Sequence, residues 1–213
     1  MNRKIFGKGK GKVGKTPAVA LINPKYSRNV SQVVRACSCF GIDQCWFTGD
    51  RVEVELADKK RMPREERMKG YSKVDIIQFD YFFEQFPDCT PVGIEVMEGA
   101  EMLTDFEHPE NPLYVFGPED GGLTKLARGF CHRYVFIPMQ HCSNLAASVY
   151  ITLYDRYLKR VWNGLEKPQT VNEVLDEPRG WTQFEDEFYG NSDSSFRNVP
   201  INKMLMNGVD KKV

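Results

Sequence analysis

LYVFGPEDGGL, residues 113–123, is an apolar strand that runs directly into glycine, proline, two acids and two further glycines. A strand ending in such a loop is a standard ligand-binding position in α/β sheets, because glycine lets the backbone approach a ligand closely. The pattern returns at residues 134–149, YVFIPMQHCSNLAASV, where a second strand ends in Ile-Pro-Met and a small polar loop leads into a helix. Upstream, AVALI at 18–22 is a short continuous apolar run. NPKYSRNVSQVVRACSCFG at 23–41 then places Val30, Val33, Val34, Cys37 and Phe40 in helical register, with Gly41 as the stop. QCWFTG (44–49), VDIIQF (74–79) and PVGIEVM (91–97) supply further strands, and DYFFEQF (80–86) and GLTKLARGF (122–130) lie between strands as helical segments. Strands alternating with helices predict an α/β domain with a mainly parallel sheet and helices on both faces.

Two further helical stretches complete the pattern. A charged, helix-prone run from about Glu55 to Lys69 is broken near Pro63, and a long helix is predicted over residues 144–162. On that helix Leu145, Val149, Leu153, Tyr157 and Val161 form one stripe at spacing four, while Tyr150, Ile151, Tyr154 and Leu158 make a second apolar surface that could meet a partner subunit. From Gly164 onward the composition turns polar, acidic and Pro/Asn-rich. The expected organisation is a basic flexible arm at 1–16, an α/β domain at 17–163 and a polar extension at 164–213, within which the acidic stretch Glu185 to Glu187 is unsuited to touching a polyanion.

With 213 residues, 41% hydrophobic and 27% charged, the chain has the composition of one ordinary globular domain. It contains no run of 18 apolar residues, and its first residues are basic and glycine-rich, which argues against a membrane span and a signal peptide. Six cysteines without a CxxC pair fit a reducing compartment, and a cytoplasmic location is expected. Zero net charge conceals an asymmetry. Residues 1–75 carry net +9 and residues 76–213 net −9, so the positive charge is concentrated where a polyanion could be met.

GKGKVGKT at residues 9–16 formally matches the phosphate-cradling loop of nucleotide hydrolases. That loop works only between a buried strand and a helix whose amides point at phosphate. Here the preceding eight residues hold only Met1, Ile5 and Phe6 as apolar members, and Pro17 followed by AVALI comes after it. The match is rejected.

Taken together, the segments at 23–41, 113–123 and 134–149 resemble the SPOUT class of RNA methyltransferases, specifically the SpoU/TrmH family of tRNA and rRNA ribose 2'-O-methyltransferases. The resemblance spans about 140 of the 213 residues, roughly from Ala18 to Leu158. It implies a deep trefoil knot at the C-terminal side of the sheet, S-adenosylmethionine bound within it, a homodimer, and RNA as partner. By position, Arg35 resembles the arginine assigned to activating the ribose hydroxyl, and Asn29 the asparagine that helps arrange it. Glu119 resembles the acid of the GPE loop, and Asn144 the asparagine of the third motif. Gly117, Gly122, Ile137, Met139, Cys142 and Ser143 resemble the cofactor wall, with Glu95 as a weaker addition. The family's third motif usually reads Ser-Leu-Asn, and here Cys142, Ser143 and Asn144 stand in its place.

The chemistry implied needs no metal, because the sulfonium is already an activated methyl donor. The protein has to hold the 2'-hydroxyl in line and ease loss of its proton. A guanidinium with a pKa above about 12 is an awkward base, so Arg35 is expected to act jointly with the adjacent RNA phosphate. Taken singly, these residues also have structural uses: Arg35 on a helix surface, Glu119 as a loop cap, Asn144 as a helix N-cap. Cys37 and Cys39 read as small core residues, and His108, His132 and His141 as loop or surface histidines with no catalytic role. A non-catalytic RNA-binding relative is the alternative. The arm and DKKRMPREERMKGYSK at 58–73 would grip RNA phosphates.

Overall fold

The computed structural model describes residues 6–57, 73–170 and 173. Among the described residues, eight strands form one sheet: β1 (Gly7–Lys8), β2 (Ala18–Leu21), β3 (Gln44–Phe47), β4 (Asp75–Gln78), β5 (Thr90–Ile94), β6 (Glu101–Met102), β7 (Pro112–Phe116) and β8 (Arg133–Phe136). Their order is β1-β4-β3-β2-β7-β5-β8-β6, and every neighbouring pair is parallel. The helices are α1 (Ser27–Cys39), α2 (Arg51–Glu55), α3 (Lys125–Phe130) and α4 (Leu145–Trp162), with a 3₁₀ turn at Phe82–Gln85.

Strands buried on both faces read as unbroken apolar runs, which is why AVAL, QCWF and PLYVF were legible. Alternation sorts their side chains. Val19, Leu21, Cys45, Phe47, Tyr114 and Phe116 enter one core with α1 and α4, whereas Ala18, Ala20, Trp46, Leu113 and Val115 enter the other with α3 and the 3₁₀ turn. Leu145, Val149 and Leu153 of α4 are buried as the first stripe requires; Tyr150 and Ile151 are half-buried and Tyr154 is exposed. Helix α1 ends as expected, with Gly41 at φ +69° and the Ile42 amide donating back to the Cys37 carbonyl.

Three expectations need correction. The described part of the arm, expected to be mobile until bound, is laid along the sheet edge: Gly7–Lys8 pairs with β4, and the Gly14 amide donates to the Gln85 carbonyl at 2.7 Å. Its glycines serve close approach, since a Cβ on Gly9 would lie 2.6 Å from Trp46 and one on Gly14 would lie 2.3 Å from the Phe86 ring. Its lysines are partly compensated internally, by Lys8 with Glu53, Lys12 with Asp75 and Lys15 with Asp43. Helix α2, which the sequence reading did not anticipate, ends at Glu55; the charged helix expected from about Glu55 to Lys69 falls on residues 58–72, which lie outside the described residues, as do 174–213. Cys37 is buried as expected, but Cys39 is exposed at the end of α1.

The third concerns His108, which lies in a loop as expected but whose side chain is buried. Its Nδ1 lies 2.6 Å from the Tyr114 hydroxyl and its Nε2 2.8 Å from Asp155 Oδ2, and the side chain is 3% exposed. Burial lowers its pKa to about 4 against the pull of Asp155, whose charge is already met by Lys159 at 2.7 Å; Lys159 and Arg156 disfavour a further cation. An unfolded histidine takes its proton near about pH 6.5 and the folded one near 4, so this contribution to stability is complete above the first value and is lost as pH falls towards the second. Between about pH 7.5 and about pH 5 it amounts to about 2 kcal/mol. Chemical denaturation at both pH values is expected to show His108→Gln losing less stability on acidification than the unaltered protein, and equal losses would refute the assignment.

Candidate active site

The chain enters the site twice from strand ends that lie side by side, because β2 and β7 are parallel neighbours with Leu21 opposite Phe116. After β2, residues 22–26 turn into α1. After β7, GPEDGGL turns back towards α3. Glu119, in the second loop, accepts the Lys25 backbone amide at 2.7 Å and the Asn29 amide group at 2.5 Å. Asn29 sits in the first turn of α1 and is 7% exposed.

Asn144 joins from a third direction as the N-cap of α4, its Oδ1 accepting from the Ala146 amide at 2.8 Å and the Ala147 amide at 3.3 Å. That cap determines the orientation of both amides. With Oδ1 taken by backbone donors, Asn144 Nδ2 faces Asn29 Oδ1 at 3.3 Å, and Asn29 Nδ2 therefore faces the Glu119 carboxylate. One directional chain, Asn144 to Asn29 to Glu119, thus links all three segments singled out from the sequence.

Arg35 is not part of it. Six residues further along α1, its side chain is exposed and makes no hydrogen bond or ion pair among the described residues, although its charge reaches Tyr150 on α4. Glu95, at the end of β5, accepts the Leu123 amide at 2.6 Å and the Val96 amide at 3.1 Å. Its carboxylate braces the glycine loop. A Cβ on Gly117 would lie 2.8 Å from the Gly122 carbonyl carbon, a main-chain atom, so this glycine is needed for the loop to close on itself, whereas one on Gly122 would meet the Glu95 carboxylate at 2.5 Å.

Ile137 and Met139 border an apolar groove of about 570 Å³ with Phe40, Leu103, Tyr150 and Tyr154. Cys142 is exposed and Ser143 half-buried, its Oγ donating to the Asn144 carbonyl at 3.3 Å. The polar run 142–144 therefore lies directly beyond the apolar one, at the mouth of α4.

Three participants were not expected: Lys25, through its backbone amide, and the ion pair of Arg51 with Asp120. Arg51 grips both Asp120 oxygens at 3.0 and 2.7 Å. This contact holds the Asp120 carboxyl well below the ordinary range and raises the guanidinium. Asp120 was in view, being next to Glu119; Arg51 carries no local signal, since its partner is 69 residues away.

Residues 17–154 match the SpoU rRNA Methylase family, which covers the whole site from β2 to the middle of α4. The chain is 27% identical over 169 residues to the tRNA (cytidine-2'-O-)-methyltransferase TrmJ of Methanocaldococcus jannaschii, covering 68% of this chain and 69% of that protein. In fold it is similar to the TrmH/SpoU tRNA modifying enzyme of A. aeolicus, with a TM-score of 0.59 at 18% identity, covering 78% of this chain and 86% of that one. It is also similar to the SpoU methyltransferase AviRb of Streptomyces viridochromogenes solved with AdoMet, with a TM-score of 0.56 at 19% identity, covering 75% and 59%. With its family match spanning the three loops that the hydrogen-bond chain ties together, this protein belongs to the SpoU rRNA methylase family.

Proposed function

We propose that this chain transfers a methyl group from S-adenosylmethionine to a ribose 2'-hydroxyl of tRNA or rRNA. The observation that carries the proposal is the chain of hydrogen bonds through Asn144, Asn29 and Glu119, because it places three separate strand-end loops in one rigid arrangement at the site. Family membership supplies the reaction class, and the tRNA-modifying relative supports RNA as substrate.

The residues present fit the cofactor. Ile137, Pro138 and Met139 offer an apolar wall, Cys142 and Ser143 a polar rim after them in the chain, and Gly117 and Gly122 a closely folded loop. When bound, the sulfonium supplies an already activated methyl group. Asn29 and Asn144 hold the mouth of the site in register with the GPED loop, and Glu119 ties that loop to the entrance of α1. Arg35, without a hydrogen-bond or ion-pair partner among the described residues, orients the hydroxyl together with the neighbouring phosphate, which takes up the proton.

The same proposal includes a deep trefoil knot, supported by the placement of β5 between the later strands β7 and β8. It also includes a homodimer that covers the second apolar surface of α4, where Tyr150, Ile151, Tyr154 and Leu158 border the groove. Transfer is assigned to residues 17–163, and phosphate contacts outside the site to the arm and to 58–73.

The test is calorimetric titration with S-adenosylmethionine, with ATP and magnesium as control, followed by transfer of tritiated methyl to unmodified bulk tRNA and rRNA. Binding near one per subunit, silence with ATP, and label in alkali-resistant dinucleotides are expected, since a 2'-O-methyl group blocks alkaline cleavage. Label confined to mononucleotides would overturn ribose as the acceptor, and absence of cofactor binding would overturn the whole assignment.

A further inference from the structure

Helix α2 is five residues long, yet its three polar side chains reach three different segments of the fold, two of which belong to the site. Arg51 donates to both oxygens of Asp120 at 3.0 and 2.7 Å and to the Asn23 carbonyl at 3.3 Å. Glu53 accepts from Gln78 at 3.1 Å and pairs with Lys8 at 3.5 Å. Glu55 accepts the amide of Ser27, the first residue of α1, at 2.5 Å. Arg51 therefore clamps the loops that follow β2 and β7 to each other, and Glu55 sets the start of the helix that bears Asn29.

Asp120 is covalently next to Glu119, and the two carboxylates are held from opposite sides. Glu119 faces Lys25 N and Asn29, while Asp120 faces Arg51, with Lys25 Nζ at 3.4 Å. Fixing both neighbours leaves the Pro118–Asp120 segment little rotation by which Glu119 could leave Asn29. A partly exposed ion pair adds little to global stability; the Arg51 and Asp120 side chains are 29% and 44% exposed. What a bidentate fork does supply is direction, since it fixes the plane of the carboxylate as well as its distance.

We infer that Arg51, through its bidentate contact with Asp120, is a positioning residue for methyl transfer, keeping Glu119 and Asn29 in the geometry the reaction requires. The inference rests on the proposed methyl transfer. Misplacement by about 1 Å costs reactions of this kind about 100-fold, so a loop released on one side loses turnover before it loses its fold.

The test compares the full chain with Arg51→Ala, Arg51→Lys, Asp120→Ala and the double alanine variant. Single-turnover and steady-state transfer to the bulk RNAs are measured beside cofactor calorimetry, thermal unfolding and hydrogen exchange of the peptide covering residues 117–124. Either alanine variant is expected to lower kcat about 10- to 30-fold and to speed exchange of that peptide about tenfold. Cofactor affinity is expected to stay within about threefold and Tm within about 2 °C. The double variant should be no worse than either single one, because both remove the same contact. Arg51→Lys recovers only part of the loss, as an ammonium cannot span both oxygens.

Losses that multiply in the double variant, or a raised KM with kcat unchanged, would overturn the inference, the latter making Arg51 an RNA contact instead. So would a large fall in Tm that accounts for the lost activity. Unchanged exchange refutes it whether or not RNA is methylated. Cofactor binding without transfer in the unaltered protein would refute the proposed function, while the exchange comparison would still decide whether Arg51 orders the loop.

Discussion

Asn29→Ala is expected to lower the rate of methyl transfer at least about 100-fold while cofactor affinity stays within about threefold. Asn29 is the middle member of the chain, so its removal strands two groups at once: Glu119 Oε1 loses a donor at 2.5 Å and Asn144 Nδ2 loses an acceptor at 3.3 Å. Asn144 keeps its backbone cap, so α4 and the fold persist; what is lost is the register between α1 and the GPED loop. Asn29→Asp makes the mechanism visible through pH. Two carboxylates at this separation cannot both be ionised, so the variant should be poor at neutral pH and recover as acidification supplies a shared proton. Single-turnover transfer of tritiated methyl, with thermal unfolding beside it, checks both variants. Turnover of Asn29→Ala within about tenfold of the unaltered protein would remove the chain from the mechanism.

The second large effect is expected at Gly117. A Cβ there would lie 2.8 Å from the carbonyl carbon of Gly122 and 2.9 Å from the amide nitrogen of Leu123, both main-chain atoms that have no rotamer to yield. Gly117→Ala must therefore open the loop and pull Leu123 away from Glu95, which now holds it at 2.6 Å. A loss of about 1–3 kcal/mol in stability is expected, with cofactor affinity weakened at least about tenfold. Gly121→Ala is the internal control. Its Cβ would find nothing nearer than Pro118 Cγ at 3.9 Å, so the change should stay within about 0.5 kcal/mol and leave affinity intact. Denaturation and calorimetry on the pair decide the matter, and equal behaviour of the two variants would show that crowding at Gly117 is not what shapes the loop.

Much of the fold was legible because the central strands are covered on both faces, which forces continuous apolar runs such as AVAL and PLYVF. Strands β1 and β6 were not legible. Each is two residues long with exposed side chains, and each exists because a neighbouring strand offers unpaired backbone groups. His108 misled for a related reason. Its local sequence, EHPEN, is polar, and it is buried only because Asp155, 47 residues away, and Tyr114 supply partners for both ring nitrogens. The arm was taken as mobile on its lysine content, whereas the feature that decided its place was the fit of Gly9 and Gly14 against aromatic rings on other segments.

By itself the sequence determined the order of the central strands and of the longer helices, the strand-end loops and the family resemblance, because periodicity and turn chemistry act over a few residues and are written locally. Only the tertiary structure decided which polar groups meet. Asn29 finds Glu119 across 90 residues and Asn144 across 115, and Arg51 finds Asp120 across 69. Hydrogen bonds extend about 3 Å and depend on angle, so their partners are set by how parallel strands bring distant loops to one end of the sheet, a relation that no stretch of the chain contains.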